Sequence, residues 1–275
     1  MCGIAGLVRR DGPFASDPST ALGTALAHRG PDAQGVWCSP LRDVVLVHRR
    51  LAIIDPSPAG AQPMSTPDGR HHIVFNGEVY NYRDLRRSLE SRGETFSTCS
   101  DTEVLLRLLV CEGPSALARL RGMFALAWWD EAERALLVAR DRFGIKPLYL
   151  AVGRGTVAFS SEIRALMSSG LVPRTIDAAG VRAYLAWGSV PPSLTWVAGV
   201  ESLPPGTWRR WRPDAKQEER RFASSTDAHA RPPTSRSGAE LRERTREAVE
   251  NSVVAHMVAD VPVGLFLSGG IDSSA

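Results

Sequence analysis

The apolar positions of this chain fall into short consecutive runs separated by charged or glycine-rich stretches. The runs predict strands at Gly3–Val8, Val44–His48, Ile73–Phe75, Met123–Trp129, Ala135–Ala139, Leu148–Val152 and Thr156–Phe159. Apolar residues at successive positions, rather than strict alternation, indicate strands buried on both faces. Helical spacing recurs between them. Asn81 or Tyr82 leads into a helix over Arg83–Arg92, with Gly93 beyond its end, and another helix is predicted over Ala178–Trp187. Ser100 caps a helix over Asp101–Cys111 that has an acidic first turn and Glu103 as its capping-box partner. Strands and helices interleaved on one stretch imply sheets covered by helical layers.

The pattern changes after Arg212. Residues 213–238 are polar and rich in Pro and Ser, which reads as a linker. Leu241, Thr245, Ala248, Val249, Ser252, Val253 and Met257 then recur at helical spacing, and Val261–Leu267 (VPVGLFL) predicts a buried strand. The expected division is a first domain over 2–212, a linker over 213–238 and the start of a second domain over 239–275.

Composition narrows the function classes. A chain of 275 residues, 43% hydrophobic, has room for one sizeable core and part of another. Its net charge of +3 and scattered arginines argue against a nucleic-acid partner. The N-terminus MCGIAGLVRR has its basic residues after the apolar ones, the wrong order for a signal peptide, and no window approaches the ~18 apolar residues of a membrane span. Cys2, Cys38, Cys99 and Cys111 form no C-x-x-C pair and read as reduced thiols, so a cytoplasmic protein is expected.

Two stretches carry chemistry. Cys2 follows the initiator Met1 and is small enough to permit its removal, which leaves a thiol and a free α-amine on one residue. That amine can take the thiol proton at little cost, so one residue supplies nucleophile and base. A lone cysteine near a terminus is otherwise a buried structural residue. At the other end, FLSGGIDSSA (Phe266–Ala275) places a glycine-rich turn after an apolar run, as an anion-binding loop does, without the lysine of a P-loop.

MCGIAG, HRGPD (His28–Asp32), HRRLAIID (His48–Asp55), FNGEVYN (Phe75–Asn81), SDTEV (Ser100–Val104), DRFGIKPLY (Asp141–Tyr149) and FSSEI (Phe159–Ile163) resemble, in this order, the glutaminase domain of class II glutamine amidotransferases. LPPGTW, DVPVG and LSGGIDSS resemble the glutamine-hydrolysing asparagine synthetases in particular. The resemblance implies an α+β fold, the four-layer αββα sandwich of the N-terminal nucleophile hydrolases. It is followed by the beginning of an α/β ATP-pyrophosphatase domain, truncated at its pyrophosphate loop.

It also implies roles. Cys2 is the nucleophile on the side-chain amide of glutamine, and the Asn76 amide and Gly77 N–H form the oxyanion hole. Arg50 grips the α-carboxylate, Leu51 and Ile53 line the pocket with main chain, and Glu78 and Asp101 meet the α-amine. Each has an ordinary rival: Asn76-Gly77 as a hairpin turn, Arg50 as a surface charge, Asp101 as a charge at a helix N-terminus. Ser268, Gly269, Gly270, Asp272 and Ser273 match the loop that holds the β,γ-phosphates of ATP. The complete enzyme is expected to need ATP and Mg²⁺ and to amidate aspartate, with no cofactor for glutamine hydrolysis and no metal ligand in this chain. A homodimer is a further implied possibility. Alternatives are a different carboxylate acceptor or a non-catalytic remnant. Leu150 and Arg220–Ala223 (RRFA) depart from the family pattern, the second at the domain junction. Trp128 and Trp129 are expected in the core, and His229 and His256 on solvated surface.

Overall fold

The computed structural model describes residues 1–271 apart from 154, 193, 214, 225–236 and 265. In chain order the elements are β1 (Gly3–Arg9), α1 (Ser19–Ala25), β2 (Ala33–Cys38), β3 (Val44–Arg50), β4 (Met64–Ser65) and β5 (His71–Val79). Next come α2 (Tyr82–Glu90), α3 (Asp101–Glu112), β6 (Gly122–Asp130), β7 (Ala135–Arg140), β8 (Tyr149–Gly153), β9 (Thr156–Ser160) and α4 (Ile163–Ser168). The last are α5 (Ala178–Trp187), β10 (Glu201–Ser202), β11 (Thr207–Arg212), β12 (Ala215–Arg221) and α6 (Gly238–His256). Two six-stranded sheets result, in the orders β10-β8-β9-β1-β3-β2 and β12-β11-β7-β6-β5-β4.

Strand alternation sorts the core into three layers. Ile4 and Val8 of β1, Val44 and Leu46 of β3, Val74 of β5, Ala125, Ala127 and Trp129 of β6, and Leu136 and Val138 of β7 pack between the sheets. Their neighbours face outward: Ala5, Leu7, Val45 and Val47 pack with Leu22 and Leu26 of the α1 region and with Ala165 and Leu166 of α4. Ile73, Phe75, Phe124, Leu126 and Leu137 pack under Leu85 and Leu89 of α2 and Leu105 and Leu109 of α3. The order is helix, sheet, sheet, helix. Each fully buried Leu, Val or Phe contributes about 1.5–3 kcal/mol, and burial on both faces is why the strands read as unbroken apolar runs.

The structure departs from the sequence-based expectations in several places. Beta strand β12 lies inside the stretch expected to be linker and pairs antiparallel with β11, Trp208 opposite Arg220. It is an edge strand tied to β11 by side chains: Arg209 reaches Glu219, and also Glu201 of β10, while Trp211 Nε1 donates to Gln217. Charged edges lack the apolar signature of central strands. The segment Val261–Leu267 is not a strand among the described residues, and Phe266 and Leu267 are exposed, since no neighbouring strand accompanies it there. The Ser100 hydroxyl accepts the Thr102 N–H as a cap. The Glu103 carboxylate does not close a box onto Ser100; it accepts the N–H groups of Ser97 and Thr98. Asn81 precedes α2 without capping it and instead ties to the main chain of Arg119 and Arg121. Trp129 is buried, as expected.

Candidate active site

The same alternation builds the site. Residues of even number on β1, β3 and β5 point between the sheets, so His48 and Arg50 at the end of β3 and Asn76 and Glu78 near the end of β5 continue the inner face. Cys2, one residue before β1, continues it too. The antiparallel pairs bring Gly3 opposite Arg49, and Gly77 opposite Phe124. The apolar layer therefore gives way at one end to a cavity of about 390 Å³ lined by Cys2, His48, Arg50, Asn76, Glu78 and Asp101, among others. Leu51, Ile53 and Gly77 also line it. The glutaminase residues singled out from the sequence are thus brought together.

The Leu51 N–H points at the Cys2 sulfur at 3.4 Å, and the Leu51 carbonyl lies 3.5 Å from it. Arg29 Nε donates to the Cys2 carbonyl at 3.0 Å, and Arg29 in turn reaches Glu162 at 3.1 Å. Cys2 is held through its backbone carbonyl. Burial pushes the thiol above its ordinary pKa, opposed by the Leu51 N–H, by the nearby terminal amine and by Arg50. Burial pushes the chain's α-amine, here on Met1, below its ordinary value. Met1 itself is 59% exposed, accessible to removal.

Asn76 is buried, and its Nδ2 has no hydrogen-bond partner. An orphaned buried amide donor costs about 1–3 kcal/mol unless something completes it. Gly77 lies where the strands approach closely: a Cβ there would sit 2.1 Å from the Met123 carbonyl oxygen, so only glycine fits.

The Arg50 guanidinium is buried and oriented by main chain, donating to the Ser57 carbonyl at 2.8 Å and to the Asp55 carbonyl. Gly60 leaves room for it, since a Cβ there would meet Arg50 Nη2 at 2.3 Å. The remaining donors of the fork stay available to a carboxylate. Asp101 opens α3, and its carboxylate accepts the Val79 N–H at 3.0 Å. Burial raises its pKa to about 7, opposed by the Val79 N–H and reinforced by Glu78. Burial raises Glu78 as well, against the pull of Lys146.

Sequence reasoning missed two groups at this cavity. His48 is buried with an unpartnered Nε2, and burial lowers its pKa to about 3, so it is a neutral imidazole. Its signal was the two-residue offset from Arg50, which puts both on one strand face. Lys146 is buried near Glu78 and Cys2. It is presented by a loop gathered around Asp141, whose carboxylate accepts the N–H groups of Phe124, Phe143, Ile145 and Lys146. Nothing in the spacing of DRFGIKPLY alone shows this.

The phosphate-loop residues are elsewhere. Ser268, Gly269 and Gly270 lie on an exposed segment, and Asp272 and Ser273 fall outside the described residues, as does His229. His256 is exposed yet packs against Tyr80 in a tilted arrangement, with ring centroids 4.5 Å apart. At the junction, Phe222 stacks on Phe124 at 6.2 Å.

Residues 1–223 match the family described as glutamine amidotransferase domain. The chain belongs to that family. Residues 244–275 of this amidotransferase match a second family, asparagine synthase. It is 39% identical over 279 residues to asparagine synthetase [glutamine-hydrolyzing] 1 of Bacillus subtilis, covering 100% of this chain and 43% of that protein. It is 36% identical over 287 residues to amidase chry2 of Gibberella zeae, covering 100% of this chain and 42% of that protein. The chain thus spans under half the length of these relatives. A solved B. subtilis glutamine phosphoribosylpyrophosphate amidotransferase superposes with a TM-score of 0.60 at 20% identity, over 81% of this chain and 49% of that one. The chain shares the α+β sandwich of that solved amidotransferase.

Proposed function

We propose that the chain, after loss of Met1, hydrolyses glutamine to glutamate and ammonia. The observation that carries the reading is the buried, unpartnered Nδ2 of Asn76 in the same cavity as the Cys2 thiol. The α-amine of Cys2 takes the thiol proton, and sulfur attacks the side-chain amide carbon. The carbonyl oxygen becomes an oxyanion held by Asn76 Nδ2 and the Gly77 N–H. The protonated amine then gives its proton to the leaving nitrogen, ammonia departs, and water hydrolyses the thioester to glutamate and free thiol. Arg50 holds the α-carboxylate, the Leu51 and Ile53 main chain shapes the pocket, and Asp101 and Glu78 hold the α-ammonium.

No metal cluster occurs among the described residues, and the hydrolytic steps need none. We further propose that the ammonia is used to amidate aspartate with ATP and Mg²⁺. The support is the similarity to asparagine synthetases and to the asparagine synthase family over 244–275. No step is assigned to ATP on the exposed residues Ser268–Gly270. A different carboxylate acceptor is the second reading, favoured by the full-chain similarity to amidase chry2. The free cysteines and the lack of any described helix long and apolar enough to cross a membrane agree with a cytoplasmic setting. The test is ammonia release from glutamine by the purified chain without ATP. Its absence from a correctly folded chain lacking Met1 overturns the reading.

A further inference from the structure

Beyond α6 the chain returns to the amidotransferase cavity. His256 packs against the Tyr80 ring at a tilt, Val258 packs against the core beneath α2 and α3, and Asp260 then makes two bonds to one short segment. Its N–H donates to the Ile53 carbonyl at 3.0 Å, and its carboxylate accepts the Asp55 N–H at 2.8 Å. Asp55 has φ of 47°, a left-handed conformation that a non-glycine residue holds only when its surroundings over-determine it. Its surroundings do so from several sides. The Asp55 carboxylate accepts the Ser57 hydroxyl and the Cys99 N–H, and its carbonyl accepts Arg50 Nη2. Asp260 is the part of this clamp that comes from beyond residue 223, where the amidotransferase family match ends.

We propose that Asp260 is a positioning residue for glutamine binding. By bridging Ile53 and Asp55, it fixes the Asp55 carbonyl that aims the Arg50 fork at the substrate α-carboxylate. The inference rests on the reading of Arg50 as the carboxylate clamp. The segment leading to the phosphate loop thereby sets glutamine affinity without touching glutamine.

The sign of the effect separates this from simple electrostatics. Asp260 is a negative charge near the site of a bound carboxylate, so a purely coulombic role makes its removal tighten binding. A positioning role makes removal weaken it.

The experiment uses the full chain and its Asp260→Ala and Asp260→Asn variants, with glutamine KM and kcat measured for each. Glutamine binding is also titrated calorimetrically in a Cys2→Ala background. Asp260→Ala is expected to raise KM and the glutamine dissociation constant about tenfold with kcat within about twofold, in line with loss of one charge-assisted bond. Asp260→Asn keeps an acceptor oxygen and is expected within about threefold of wild type. Melting temperature is expected to stay unchanged in both, because the side chain is at the surface. Unchanged or tighter glutamine binding in Asp260→Ala overturns the proposal, as does a fall in kcat at constant KM. A wild-type chain that releases no ammonia overturns the glutaminase reading instead, and the calorimetric arm still decides the clamp. Failure of the Cys2→Ala chain to bind glutamine overturns both.

Discussion

The Leu51 backbone N–H lies 3.4 Å from the Cys2 sulfur, so the chain leaving the end of β3 supplies a fixed donor to the nucleophile. A backbone donor survives every substitution except proline and stabilises sulfur as it gains negative charge. Cys2→Ala is expected to abolish ammonia release, while Cys2→Ser, with a far less acidic hydroxyl, retains only a trace. Ammonia assays on both variants check this. Equal activity in wild type and Cys2→Ala points to a contaminating enzyme.

Removal of Met1 is expected to precede activity. Intact-mass measurement of active protein is expected to show the chain beginning at Cys2. With Met1 gone the base is the Cys2 α-amine, so kcat/KM is expected to fall as pH drops through the range in which an α-amine protonates, ~7.7–8.0 for an unperturbed one. A chain that retains Met1 and turns over at full rate overturns the role of the amine.

Asn76→Ala removes the unpartnered donor. A loss of about 10²–10³ in kcat with little change in KM is expected, as for an interaction made chiefly in the transition state. Steady-state kinetics read the split; a change confined to KM assigns Asn76 to substrate binding.

Arg50→Ala is expected to raise KM roughly 10- to 100-fold, from the loss of hydrogen bonds to a charged carboxylate. Arg50→Lys is expected to recover little, because one ammonium cannot meet the Ser57 and Asp55 carbonyls and a bidentate substrate together. An unchanged KM in both variants removes Arg50 from the site.

Asp101 couples the site to pH. Its pKa of about 7 lies above the ordinary carboxylate value, so the folded, substrate-free protein binds more protons than the unfolded chain in between. Stability of the free protein is therefore expected to fall as pH rises from about 4 to 7, and Asp101→Asn to flatten that slope. Binding of an ammonium needs the carboxylate, so the glutamine KM is expected to decrease as pH rises toward 7 in wild type and not in Asp101→Asn. Denaturant titrations and KM measured across pH test both signs.

The central strands and the helices α2 and α3 were legible in the sequence because each buries a continuous apolar surface whose period shows in the residues themselves; α5 was legible from its spacing, although only Gly180 of it is buried. Cys2, Arg50, Asn76 and Asp101 were legible only through motif resemblance. What brings them together is strand parity and antiparallel register, which place the start of β1, the end of β3 and the end of β5 at one end of the layer between the sheets. Three things lay beyond the sequence for the same reason. Beta strand β12 is held by an edge and by ion pairs, Lys146 is placed by a carboxylate that gathers four backbone N–H groups, and Asp260 acts through main-chain atoms of Ile53 and Asp55. Local periodicity follows from side chains along one segment. Contacts between backbone groups far apart in the chain leave no such trace, and only the tertiary structure decides them.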